Sequence, residues 1–208
     1  MGLARRRPSQ SRSIATYEAI VEAAARILLR DGPRLLNTNR IAKVAGVSVG
    51  TLYQYFPDKT AVVAALAERE KERLHVALEG LLAATMDLPF EDFCRMAVRG
   101  LFAMRQQNRL VVLLHDQRVP GVGIERLMTD VAEAQRATIR RALERRRGEL
   151  AYIDIDLASF VIVHSFMGVL HALDRGMEPP FVTEDELVEQ LVRLGRSYLL
   201  FGRDKVDE

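Results

Sequence analysis

The chain has 208 residues, 49% of them hydrophobic and 28% charged, a balance that fits a water-soluble folded protein and excludes a disordered chain or a membrane-embedded one. Its formal net charge of +2 hides a polarity, because residues 1–60 carry ten Lys or Arg against four acids and the remainder is net acidic. A basic front on an acidic rear fits a nucleic-acid contact at one end, since affinity for phosphate is largely electrostatic.

In chain order, residues 1–13 hold Arg5, Arg6, Arg7 and Arg12 among Pro, Ser and Gln, too polar to bury a core. They are expected to be a basic flexible arm, either a solvated tail or a strand of charge lying in the minor groove of a duplex. The start, Met-Gly-Leu-Ala-Arg-Arg-Arg-Pro, has the charge of a signal peptide but no apolar stretch behind it. Export is therefore not expected, and the cytoplasm is. A first helix over 14–30 follows from Ile20, Ala23, Ala24, Ile27 and Leu28, which share one face. Asp31-Gly32-Pro33 ends it.

Residues 37–59 carry the strongest signal. A helix over 38–45 capped by Asn37, a glycine turn at Gly46, a corner plug at Val47 and a second helix over 49–56 capped by Ser48 make a helix-turn-helix. Ala42 keeps the two helices close. Pro57 ends the second, and Asp58 caps the next. Such a unit lays the N-terminus of its second helix in the major groove. Thr51 and Gln54, with groups that both donate and accept, are the candidates for reading base edges, and Gly50 lets the duplex approach. Tyr53, Tyr55 and Lys59 are the candidates for holding phosphates, helped by Ser48, Thr38 and Asn39 at the helix starts. An ordinary helical hairpin with half-buried tyrosines is the plain alternative.

The phrase Ile-Ala-Lys-Val-Ala-Gly-Val-Ser-Val-Gly-Thr-Leu-Tyr-Gln-Tyr-Phe-Pro-Asp-Lys within residues 14–75 resembles the DNA-binding domain of the TetR/AcrR family of bacterial transcriptional regulators. Beyond residue 75 the likeness rests on length and a helical pattern. Many members of that family have Thr or Ser where Asn37 stands, a difference that affects a phosphate contact and not the cap. The resemblance implies a homodimeric repressor that is released from a palindromic DNA operator by a small-molecule effector. A body that binds a protein partner in place of a metabolite is the alternative.

After Asp58 a long helix is expected to reach residue 85, with the charged run from Glu68 to Arg73 as an exposed waist. Further helices are expected over 91–107, 109–117, 123–147, 156–175 and 184–201, with breaks at Pro120-Gly121, Gly148 and Pro179-Pro180, making about nine helices in all. The expected fold is all-α, with a helix-turn-helix domain over 14–60 and a helical effector-binding and dimerisation domain over 61–208. Leu187, Leu191, Leu194, Tyr198 and Phe201 recur at helical spacing, and Ala158, Ser165, Gly168 and Ala172 give the preceding helix a small-residue side. These faces predict a four-helix bundle between two copies, or a closed core within one. Arg140, Arg141, Arg145, Arg146 and Arg147 are read as a solvated helix end, with a second DNA surface as the alternative.

No catalytic constellation, membrane partner or cofactor is expected. His75, His115, His164 and His171 are too scattered for a metal site. Cys94, the lone cysteine, is read as core packing in a reducing compartment. Candidate walls of an effector pocket are Phe93, Met96, Phe102, Leu113, His115, Met128, Phe160, His164 and Met167, adaptable apolar side chains with a few polar points. Met104 and Val131 belong to the same group.

Overall fold

A computed structural model of the chain describes residues 11–107, 110, 124–151, 154–177 and 180–201. Among the described residues there are eight α-helices and no strand: α1 (Ser11–Asp31), α2 (Thr38–Ala45), α3 (Val49–Tyr55), α4 (Lys59–Thr85), α5 (Phe90–Gln107), α6 (Ile124–Arg145), α7 (Ile155–Asp174) and α8 (Glu184–Leu200). The chain divides into two compact units, residues 1–73 with 108–129 and residues 74–107 with 130–208.

In the first unit, α1 turns Ile20, Val21, Ala24 and Ile27 inward, where Ile41, Leu52, Phe56, Val62 and Leu66 complete a core sealed from water. The ring of Tyr17 lies 4.9 Å from that of Phe56. This core takes in α4 as far as Ala67, beyond the expected domain limit at residue 60. The starts of α2, α3 and α4 have their expected caps. The Asn37 side chain accepts from Arg40 N at 2.9 Å, Ser48 Oγ from Thr51 N at 2.9 Å, and Asp58 Oδ1 from Ala61 N at 2.8 Å. Gly46 ends α2 in the left-handed region at φ 70°, ψ 28°, and Val47 N donates to the Ala42 carbonyl at 3.0 Å. A Cβ at Gly46 would meet nothing within 4 Å. The glycine is therefore required by backbone conformation and not by space.

Two sequence expectations change in this unit. Ser11 already begins α1, so the arm expected over 1–13 cannot include residues 11–13 as flexible chain; residues 1–10 lie outside the described residues. The charged run Glu68 to Arg73 is not a simple solvated waist. Glu70 is only 4% exposed, and Arg69 joins it at 3.0 Å while reaching Glu22 on α1 at 3.3 Å. A carboxylate can stay buried there because a guanidinium offers several donors at once.

In the second unit, α8 packs against α5 and α7. Arg95 pairs with Glu189, Arg99 with Asp185 at 2.9 Å and Arg196 with Glu91 at 3.1 Å, all between α5 and α8. Thr183 and Glu186 form a reciprocal capping box at the start of α8. The start of α7 is capped by Asp154, which accepts from Leu157 N at 3.0 Å, and not by Asp156, where the helix over 156–175 was expected to begin. Asp156 instead pairs with Arg140 at 3.0 Å. The helix expected over 109–117 lies outside the described residues. Among the described residues, α7 is long and apolar enough by composition to cross a bilayer, with mean hydropathy 1.6. Its apolar character has a packing cause: Ala158, Ile162, Val163, Phe166 and Leu170 are all buried in the core of this unit.

Arg146 overturns the reading of its neighbourhood as a solvated helix end. It is 5% exposed, and its Nη2 donates to the carbonyl oxygens of Thr85, Met86 and Leu88, the last at 2.6 Å. Nη1 meets Glu149 at 3.0 Å, and the guanidinium lies 4.5 Å from the Phe93 ring centroid. The carbonyls at the end of α4 have no helical partners of their own, and one fork-shaped cation satisfies them together. Replacing Arg146 by Leu is expected to cost about 3 kcal/mol by leaving Glu149 and three carbonyls without their cation. Gly46→Ala is expected to cost about 1 kcal/mol through its left-handed backbone. Urea unfolding midpoints of the two variants check both figures.

Candidate functional site

Helix α3 is anchored from below and open above. Leu52 and Phe56 are fully buried, while Gly50, Tyr53 and Gln54 are exposed and Thr51 is half-buried. A Cβ at Gly50 would meet only Ser48 Oγ, at an ordinary 3.7 Å. Nothing inside the chain therefore asks for glycine there; the space it keeps open is on the outside. Ser48 Oγ and Thr51 Oγ1 are 2.8 Å apart, so the base of α3 presents a linked pair of hydroxyls. Thr38 Oγ1 and the Tyr53 hydroxyl approach to 3.4 Å, tying the start of α2 to the outer face of α3. Asn39 and Lys59 are exposed on either side.

Electrostatics favour an anion on this face. Residues 37–56 contain Arg40 and Lys43 and no acid. Arg40 is held at 2.7 Å by Asp31, whose carboxyl is kept below the usual carboxylate range mainly by its hydrogen bond with Arg30. Lys43 and Lys59 remain exposed among the described cations of this face. Tyr55 differs from its expected role: it is half-buried and packs on the core of the first unit. The helix period explains this, because position 55 neighbours 52 and 56 on the anchored side.

The second unit holds a partly open cavity of about 70 Å³, lined from α4 by Leu78, from α5 by Phe93, Cys94, Ala97, Val98 and Leu101, from α6 by Gln135, Ile139, Ala142 and Leu143, from α7 by Ile162, Val163, Phe166 and Met167, and from α8 by Leu191, Val192, Gly195 and Leu199. Burial pushes the Cys94 thiol up to about 11, so it stays protonated and weakly reactive at neutral pH.

Two family models cover most of the chain. Residues 20–66 match the bacterial regulatory proteins of the tetR family, and residues 89–199 match the tetracyclin repressor-like C-terminal domain. The chain belongs to the tetR family of bacterial regulatory proteins. Among curated relatives, the HTH-type transcriptional regulator SAR0097 of Staphylococcus aureus is 28% identical over 102 residues, 48% of this chain and 53% of that protein. The nucleoid occlusion factor SlmA of Actinobacillus pleuropneumoniae is 50% identical over 44 residues, 21% of this chain and 22% of that protein. The chain thus spans about half the length, or less, of these curated relatives. The crystal structure of a TetR-family regulator from Mesorhizobium loti matches with TM-score 0.75 and 18% identity over 91% of this chain and 97% of that one, which shows a shared fold.

Against this TetR-family frame, the cavity takes up only part of the expected pocket set. Phe93 and Met167 line it, and Phe102 is buried in the same core without lining it. Met96 and Phe160 are 44% and 46% exposed, and His164 is also on the outside, where its Nδ1 donates to the Phe160 carbonyl at 2.9 Å and its ring stacks on that of Phe160. Side-chain type pointed to these three, but helix rotation removes them: the α5 lining occupies the arc 93, 94, 97, 98 and 101, and the α7 lining is 162, 163, 166 and 167. Leu113, His115 and the side chain of Met128 lie outside the described residues. Gln135, Ile162, Phe166 and Gly195 were missed, although Ile162 and Phe166 carry an i, i+4 signal.

For the DNA face, Tyr53→Phe and Lys59→Ala are expected to lower affinity roughly two- to tenfold for every duplex alike, and Lys59→Ala also to flatten the salt dependence by about one counterion. Gln54→Ala and Thr51→Ala are expected to change the ranking among duplexes. Titrations of a randomised duplex pool at two salt concentrations check the division of roles.

Proposed function

We propose that this chain is a sequence-specific DNA-binding transcriptional regulator that acts as a homodimer on a palindromic operator. The observation that carries the reading is the outer face of α3: an exposed Gly50 that no intrachain contact demands, beside Thr51, Tyr53 and Gln54 on a helix whose other side is sealed in the core. Thr51 and Gln54 are assigned to base edges, and Ser48, Thr38, Asn39, Tyr53, Tyr55 and Lys59 to phosphates. Tyr55 contributes only what its packing against the core leaves accessible.

Dimerisation is supported by what α7 and α8 leave uncovered. Leu157, Phe160, Leu194 and Phe201 are 57%, 46%, 52% and 83% exposed, and Ser165 and Gly168 lie on the same outward side of α7. Ala158 and Leu191, expected on these faces, are instead buried within the subunit. Two-fold pairing doubles the reading head, and a palindromic operator presents its two half-sites to such a pair about one helical turn of DNA apart.

We further read the protein as a cytoplasmic repressor with no catalytic role, released from DNA by a small molecule held in the second unit. A concave, apolar-lined cavity in that unit favours a metabolite over a protein partner as the controlling ligand. An effector acts only as far as it prefers the head spacing that misfits the operator. The direct test is selection of genomic duplexes by the purified chain. Recovery of one palindromic sequence, bound by a dimer with an affinity that falls steeply with salt, is the expected result; equal retention of all duplexes would refute the assignment.

A further inference from the structure

The cavity of the second unit is unusual less for its size than for its lining. Among the described residues around it, Gln135 alone has a strongly hydrogen-bonding side chain, and Cys94 is the only other with a polar atom. No ionisable side chain lines it apart from that thiol, which burial keeps neutral. The nearest buried cation in the same core is Arg146, which stacks on Phe93. It is not part of the lining; both its Nη atoms are taken by Glu149 and by the carbonyls that follow α4, and its charge is paired with Glu149, while its Nε is buried with no hydrogen-bond partner. A carboxylate or ammonium group entering this space would give up its water without finding a counter-charge among the described lining residues, a larger penalty than apolar contact offsets. The volume, about 70 Å³ available to water centres, gives room for roughly five waters, the bulk of a benzene-sized molecule.

We infer that this cavity takes a compact, uncharged, largely hydrocarbon effector, a monocyclic aromatic or a short aliphatic chain, with at most one neutral hydrogen-bonding group, which Gln135 receives. This rests on the reading of the second unit as the effector site. Organic acids and amines of the same shape are excluded by desolvation, not by size. The carboxamide of Gln135 both donates and accepts, so it serves a hydroxyl or a carbonyl equally well. Ala97 is where a larger side chain would occupy the space: it lines the cavity from α5 and is only half-buried, so added bulk has room to adjust.

The test compares four molecules of one shape, toluene, benzyl alcohol, benzoate and benzylamine, at equal concentration and pH 7.5, on the full chain. Two properties are read for each: the unfolding temperature, and affinity for the duplex recovered by genomic selection. Toluene and benzyl alcohol are expected to raise Tm by about 3 °C or more when well above their Kd, and to weaken DNA binding, while the two ions change neither. Ala97→Phe is expected to lose the Tm response to toluene and benzyl alcohol; if that variant does not fold, Ala97→Leu makes the same test with less bulk. Gln135→Leu is expected to cost benzyl alcohol about fivefold in affinity and toluene nothing. A response to benzoate or benzylamine equal to that of the alcohol would overturn the inference by revealing a counter-charge in the cavity. Absence of any response to the neutral pair, with DNA binding intact, would overturn it as well while leaving the DNA-binding assignment in place. Failure of the unliganded chain to select any duplex would strike that underlying assignment instead.

Discussion

Helix α3 spans Val49–Tyr55, too short to persist in water on its own, since nucleating a helix costs more than its few hydrogen bonds return. It exists because Leu52 and Phe56 are held in the core of the first unit with no exposure to solvent. The left-handed turn at Gly46 aims it, and Ser48 satisfies its first free N–H groups. Once those three conditions hold, the positions between the anchors have no choice of direction. Gly50, Tyr53 and Gln54 face outward because 52 and 56 face in. The outward surface of α3 is therefore a consequence of core packing, and its rigidity comes from the same source. A recognition helix loose by an ångström would blur the geometry on which base discrimination depends.

The same accounting of polar groups organises the rest of the protein. Ionised side chains go inside only where several partners meet them together. Glu70 does so against Arg69, with Arg73 at 3.3 Å, and Arg146 does so against Glu149 and three carbonyls. Each sits where a helix needs bracing: Arg69 ties α4 back to α1, and Arg146 closes the end of α4. The cavity shows the opposite case. It gathers side chains from five helices and shows almost no polar surface, a lining that suits apolar contact and not charge. One unit thus offers donors and cations to an anionic partner, and the other withholds them from whatever enters it.

Much of this was legible in the chain itself. The caps at Asn37, Ser48 and Asp58, the turn at Gly46 and the small contact residue Ala42 depend on interactions within a few residues, and local chemistry of that kind is written in local sequence. The outer face of α3 followed by periodicity from Leu52 and Phe56. Misreadings arose where a partner lies far along the chain. Arg146 looks like one more member of a basic run, and only the arrival of residues 85–88 makes it a buried clamp. Asp156 looks like a helix cap until Asp154 takes that place and Arg140 claims its carboxylate.

By itself, the sequence determined the helical class, the helix-turn-helix with its caps and turn, and the outward-facing residues of α3, because all of these follow from spacing and short-range hydrogen bonding. Only the tertiary structure decided which apolar side chains enclose the cavity and which stay outside. Phe93 and Met167 are in; Met96, Phe160 and His164 are out. Composition cannot make that distinction, because a helix rich in apolar residues can rotate any of several faces inward. The rotation is fixed by the neighbours it packs against, in this case the α5 and α8 ion pairs and the fit of Gly195 beside Phe166.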